Sequence, residues 1–204
     1  SFVGWLATAA NFGSIVVVAG GVGLLRVLGS VRAIRVGLAA AGIGILFLSF
    51  PIPALALVAC FVVGMGHGPA NPAGNALLQR YVPRGSQGLI FSIKQSSVPV
   101  AGVIGGLLLP GIAQAWGVTG AMVFGAVVAG LTIVATRPLR RQCDISFRPA
   151  SLLTAVSRES VTAPTRTVLS HPALRSLALS GFLLAFVQSV WFVYLTSFLA
   201  FALG

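Results

Sequence analysis

The placement of charge constrains this chain more than any motif does. Residues 1–25, 36–79, 95–136 and 176–204 contain no Asp, Glu, Lys or Arg. A helix rises 1.5 Å per residue, so about 20 apolar residues cross a hydrocarbon core of roughly 30 Å. The run 36–79 has 44 residues. As one helix it would measure about 66 Å, so it must fold back on itself. Ser49-Phe50-Pro51-Ile52-Pro53 supplies the turn, because proline cannot continue a helix. The segment 114–120, with Trp116-Gly117, breaks the run 95–136 in the same way. Six transmembrane helices are expected, over about 3–25, 34–50, 54–79, 86–112, 119–136 and 176–200. The fold class is therefore all-α and polytopic. The runs do not alternate, which excludes a transmembrane β-barrel. With 7% charged residues, against roughly 25% in soluble domains, a solvated enzyme and a disordered chain are excluded as well.

The basic residues give the orientation. Of 13 Lys and Arg, 12 fall in the first, third and fifth loops, and the second and fourth loops hold none. By the positive-inside rule the basic loops 26–35, 80–85 and 137–175 face the cytoplasm, and 50–53 and 114–118 face out. The net charge of +11 is thus a topology signal and not a nucleic-acid footprint. Both chain ends are expected on the outer side. Ser1 is not an initiating methionine, so the expectation is a fragment, with further helices of the same chain before and after it. The expected domains are a five-span bundle over 1–136, a central cytoplasmic loop over 137–173, and over 174–204 the first helix of a second half. Residues 150–158 suit either a short surface helix or a flexible linker. Cys60 falls inside a span and Cys143 in the loop, so no disulfide is expected.

No phosphate loop, metal-ligand spacing or carboxylate pair is present, and no enzyme chemistry or cofactor is expected. Polar residues inside the spans carry more information, because each is costly there. His67, Asn71, Asn75 and Gln79 recur every four residues and share one helical face. Pro69 and Pro72 deprive the carbonyls of Met65 and Gly68 of helical donors, a defect tolerated where backbone lines a cavity. The same amides could instead serve as interhelical glue. Lys94 lies in the fourth span with no acid in any span to pair with. A substrate anion, snorkelling or an acid elsewhere in the protein would satisfy it. Gln95 and, in the last span, Gln188 complete the candidate substrate-binding set. Ser92 and Ser97 stand beside Lys94 as further hydrogen-bonding groups.

The order of spans resembles helices two to seven of the major facilitator superfamily. The long basic loop matches that family's central cytoplasmic loop. In the first loop Leu24, Gly29 and Arg32 fit its loop motif, while Arg26 stands at the acidic position. The segment 83–88, with Arg84, resembles the turn into its fifth helix. Gly88, Ser97, Ala101, Gly102, Gly105 and Gly106 resemble that helix's antiporter motif, with glycine at 102 where proline is expected and Pro99 displaced. Antiport is not inferred. Gly29, Arg32, Arg84, Pro99, Gly102, Gly105 and Gly106 are the expected packing or gating residues. The resemblance implies alternating access, with substrate near the midplane between two halves.

The function expected is secondary transport of a small solute, such as a small carboxylate, in a bacterial inner membrane. A drug or metabolite exporter of the same family and a non-transporting remnant are the alternatives. The expected partners are the substrate, the lipid bilayer and the remaining helices of the chain, with no nucleic acid.

Overall fold

A computed structural model of the chain describes residues 2–19, 25, 27–143, 166–191 and 198. Most of these are helical, and no strand occurs among them. Helix α1 is Phe2–Ala19, α2 is Ser30–Phe47, α3 is Pro53–His67 and α4 is Ala70–Tyr81. A 3₁₀ turn, Arg84–Ser86, leads into α5, Gln87–Ala135. Helix α6 is Arg137–Cys143 and α7 is Pro172–Val190. The segment 150–158, Leu24 and Arg26 lie outside the described residues.

Two of these boundaries differ from simple spans. The pass expected over 54–79 is interrupted between His67 and Ala70. Pro69 and Pro72 have no N–H for the carbonyls of Met65 and Gly68. The backbone still keeps helical angles at Gly68 (φ −50°, ψ −48°) and Pro69 (φ −71°, ψ −19°), so α3 and α4 form one kinked pass. Conversely, α5 runs on through what was expected to be a loop. With its flanks it is an apolar stretch of 56 residues, about 84 Å if straight and far too long for one crossing. Gly117, at φ 73° and ψ 174°, breaks it. That combination is open essentially to glycine alone. The first arm (87–116) is then about 45 Å long and the second (118–135) about 27 Å, one crossing each. The five long apolar helices thus make six passes, as the charge-free runs require.

Close packing of small residues assembles the bundle. Helix α3 lies between α1 and α2. A methyl group at Gly64 would fall on the carbonyl oxygen of Ala10, and one at Gly13 on the carbonyl of Phe61. Across the other interface Gly37 and Gly66 each face the other's carbonyl oxygen, and Gly44 lies against Ala59 and Val63. That register makes α2 and α3 antiparallel. The second arm of α5 packs on α2, with Gly42 against Ala129 and Gly125 against Ile45. Among the described residues the buried hydrophobic ones are Val31, Ala33, Ala59 and Ala73, and no large side chain is fully buried. Lipid tails are as apolar as leucine, so backbone approach through small residues, and not side-chain burial, drives such contacts. Large apolar residues face outward: Leu107 is 77% exposed, Trp116 72% and Leu184 71%. This surface suits lipid and not water.

The basic segments meet at one end of the bundle. The Tyr81 hydroxyl donates to the Cys143 carbonyl at 3.4 Å, tying α6 to the end of α4. Val31, at the start of α2, lines the same cleft as Tyr81 and Leu139. Arg32, Arg80, Arg84 and Arg137 therefore sit on elements that converge there. Gly117 separates two arms that both begin or finish at this end, so it lies at the opposite one. By the positive-inside rule the basic end is the one expected to face the cytoplasm. In a Cys60→Ala, Cys143→Ser background, Arg84→Cys is expected to resist an impermeant maleimide in intact cells, and Val118→Cys to react. Labelling at 84 with protection at 118 would invert the topology.

Candidate functional site

The polar stripe of α4 and the lysine of α5 come together. The ammonium Nζ of Lys94 donates to Oδ1 of Asn75 at 2.8 Å and to Oδ1 of Asn71 at 3.2 Å. Asn71 and Asn75 are one helical turn apart on α4, so one cation reaches both. Gly74 makes room for it: a methyl group there would stand 3.0 Å from Cε and 3.4 Å from Nζ of Lys94. The Phe91 ring, one turn before Lys94, has its centroid 5.7 Å from Nζ, within the range of a cation–π contact. Lys94 is half-buried.

The chemistry of these groups fixes their orientation. An ammonium has three donors and no acceptor, so both asparagines must turn their oxygens to it. Their NH₂ groups then point away, and the third Lys94 proton remains to be satisfied. The cluster thus presents outward donors with a formal charge of +1, and no carboxylate stands against it among the described residues; the chain's two acids, Asp144 and Glu159, lie outside them. A charged lysine at the bilayer centre costs roughly 2.5–3.5 kcal/mol on insertion scales. Two hydrogen bonds from a charged donor, together about 1–2 kcal/mol once discounted for partial exposure, offset part of such a cost. The spans offer no acid to pair with Lys94; the acceptors beside it are amide oxygens.

The other candidates fall elsewhere. His67 closes α3 and is exposed, with no hydrogen bond to the cluster. Gln95 follows Lys94 in α5, about 100° further round the helix, and is exposed. Gln188 is exposed on α7, which meets α1 near the opposite end across a cleft bordered by Thr8, Asn11, Phe186 and Ser189. Ser92 and Ser97 spend their protons on the carbonyls of Gly88, at 3.0 Å, and Lys94, at 2.6 Å, not on the cluster.

Among the expected packing residues, Gly29 is buried at φ 82° and ψ 160°, again a glycine-only conformation, at the N-cap of α2. Arg32 and Arg84 are exposed at the basic end and Pro99 is exposed within α5. Gly102 and Gly106 have open space around them, and Gly105 has only Leu109 of its own helix nearby. Sequence reasoning missed the glycines that are tightly packed. Ala33, Gly37 and Ala41 do carry a small residue at every fourth position of α2, a readable signal for close approach.

A polytopic helical membrane protein with a cationic, donor-rich site between two of its passes is the class this geometry defines. A profile described as Major Facilitator Superfamily matches residues 1–204, and the chain belongs to that family. Two proteins described as uncharacterized MFS-type transporters of Mycobacterium tuberculosis, from strains CDC 1551 / Oshkosh and ATCC 25618 / H37Rv, are each 31% identical to it over 106 residues. That stretch is 52% of this chain and 22% of each relative, so the chain matches less than a quarter of their length. No solved structure matches.

Proposed function

We propose that this chain belongs to a secondary transporter that moves a small anionic solute, such as a small carboxylate, by alternating access. The observation that carries the reading is the Lys94–Asn71–Asn75 cluster. It places a cation with outward-facing donors about 10 Å along α5 from its start. A carboxylate accepts from an ammonium and from an amide N–H at once, and charge-assisted hydrogen bonds of this kind are the strong ones. Family membership supports the transport mechanism, with five passes of one half, a central loop from 137 and the first helix of a second half. Further helices of the same protein would enclose the first arm of α5, whose large apolar side chains and glycines are exposed. The bilayer in question is the bacterial inner membrane.

The test is uptake of radiolabelled small mono- and dicarboxylates by the full-length protein in proteoliposomes. Saturable uptake and counterflow are expected for at least one of them, with loss of both in Lys94→Gln at normal expression. Unchanged affinity of Lys94→Gln for every transported solute would remove Lys94 from the binding site.

A further inference from the structure

We propose that the cleft beside Lys94 selects one kind of carboxylate: a single planar ring bearing a hydrogen-bonding group opposite its carboxylate. The inference rests on the reading of Lys94 as the anion anchor and assigns what holds the rest of the molecule.

A cleft of about 300 Å³ opens between α4 and the start of α5, lined by Asn75, Leu78, Gln79, Gln87, Gly88 and Phe91. It adjoins the anchor through two shared neighbours, since Asn75 accepts from Lys94 and Phe91 lies against the same ammonium, while Lys94 itself lines the neighbouring cleft. Leu78 from one helix and Phe91 from the other give the cleft apolar walls, and Gly88 leaves it unobstructed on the α5 side. A flat apolar body between an aliphatic and an aromatic side chain is the occupant such walls favour, since offset stacking on Phe91 adds to simple burial.

The far end is polar. Gln79 stands one turn beyond Asn75 on α4, about 6 Å along the axis, comparable to the distance across a para-substituted ring. No hydrogen bond engages its amide among the described residues, so both its donor and its acceptor are available to a ligand. Gln87 spends its Nε2 on the Val82 carbonyl at 3.1 Å, which leaves its Oε1 as an acceptor. Three carboxamides, of Asn75, Gln79 and Gln87, thus border one small space. Gln79 and Gln87 lie toward the basic end, next to Arg80 and to the turn Arg84–Ser86. The volume lies at the lower limit of small-molecule sites, enough for one ring and not for a drug-sized molecule.

A second cleft runs along the aliphatic stem of Lys94 and contrasts with the first. It is lined by Leu77, Tyr81, Val82 and Leu139, without any carboxamide. An aliphatic acid would prefer it, so the two clefts make opposite statements about the body of the ligand.

The experiment is equilibrium binding of radiolabelled 4-hydroxybenzoate to the purified full-length protein at neutral pH, with competition by benzoate, cyclohexanecarboxylate, propionate and octanoate. The wild type is expected to bind 4-hydroxybenzoate at least fivefold more tightly than benzoate, and benzoate more tightly than cyclohexanecarboxylate or octanoate. Gln79→Leu is expected to abolish the preference for the hydroxyl while leaving benzoate within twofold. Phe91→Leu should weaken both ring acids and spare propionate. Ratios of ligands within one preparation do not depend on the fraction folded, so a poorly folding variant still reports. Octanoate binding more tightly than 4-hydroxybenzoate, or an unchanged hydroxyl preference in Gln79→Leu, overturns this inference alone, provided Lys94→Gln still loses every carboxylate. If Lys94→Gln binds carboxylates normally, or the wild type binds none, the anion-anchor reading falls and this inference with it.

Discussion

Replacing Gly64 with valine is expected to push α1 away from α3 and to destabilise the bundle by about 3 kcal/mol or more, the upper end of overpacking costs. A side chain at Gly64 meets the carbonyl oxygen of Ala10, which is backbone and held in the α1 hydrogen-bond ladder. It cannot rotate aside as a flexible side chain would. Gly13 stands in the same relation to the Phe61 carbonyl, so the interface has no slack on either side. Nothing in the hydrocarbon core compensates, because separating the helices replaces close contact with lipid of equal polarity. The control is Gly130→Ala, where nothing lies within 4 Å of the added carbon. Alanine is the better helix former by about 1 kcal/mol, so this variant should be as stable as the wild type or more so. At about 2–4 °C per kcal/mol, the expected loss for Gly64→Val is at least 6 °C in the unfolding midpoint of the detergent-solubilised protein. Equal midpoints for the two variants would mean that α1 and α3 do not touch through these glycines.

The number of passes is legible in the sequence because lipid leaves the chain few choices. A charge-free run of 44 residues can only be a hairpin, and basic residues mark the loops on one side. The hinge between the two arms of α5 falls inside the segment 114–120, at the one residue there whose backbone angles only glycine adopts readily. The kink at Pro69 and Pro72 is likewise written in local chemistry. Spacing also puts Asn71 and Asn75 on one face of α4. What joins them to Lys94 is the rotation of α5 about its own axis relative to α4, a tertiary quantity that no single helix encodes. For the same reason the small residues of the first arm, 102, 105 and 106, attract attention in the sequence, yet the glycines that meet carbonyls are 13, 37, 64 and 66. A glycine pattern announces that a helix can be approached closely and says nothing about which helix approaches.

The double replacement Asn71→Ala, Asn75→Ala is expected to cost stability that a third replacement, Lys94→Met, restores. Taking away both amide oxygens leaves the Lys94 ammonium half-buried without its two recorded acceptors. Hydrogen bonds to a charged group are worth about 1.5–3 kcal/mol each, whereas interhelical ones in membranes average nearer 0.6. Because Lys94 keeps some access to the cleft, the pair together is expected to contribute about 1–2 kcal/mol, read as a lowered unfolding midpoint. With methionine at 94 the charge is gone, the stem still fills the space beside Gly74, and the midpoint should return to within about 0.5 kcal/mol of the wild type, the error usual for additive sites. Carboxylate binding behaves differently. It should weaken at least tenfold in the double variant, which has lost two donors but keeps the cation, and vanish in the triple variant despite its recovered stability. Stability and binding thus separate, which a purely structural role for Lys94 does not allow. A triple variant that binds carboxylates like the wild type would make the cluster interhelical glue. A double variant with an unchanged midpoint would show that the asparagines do not hold Lys94.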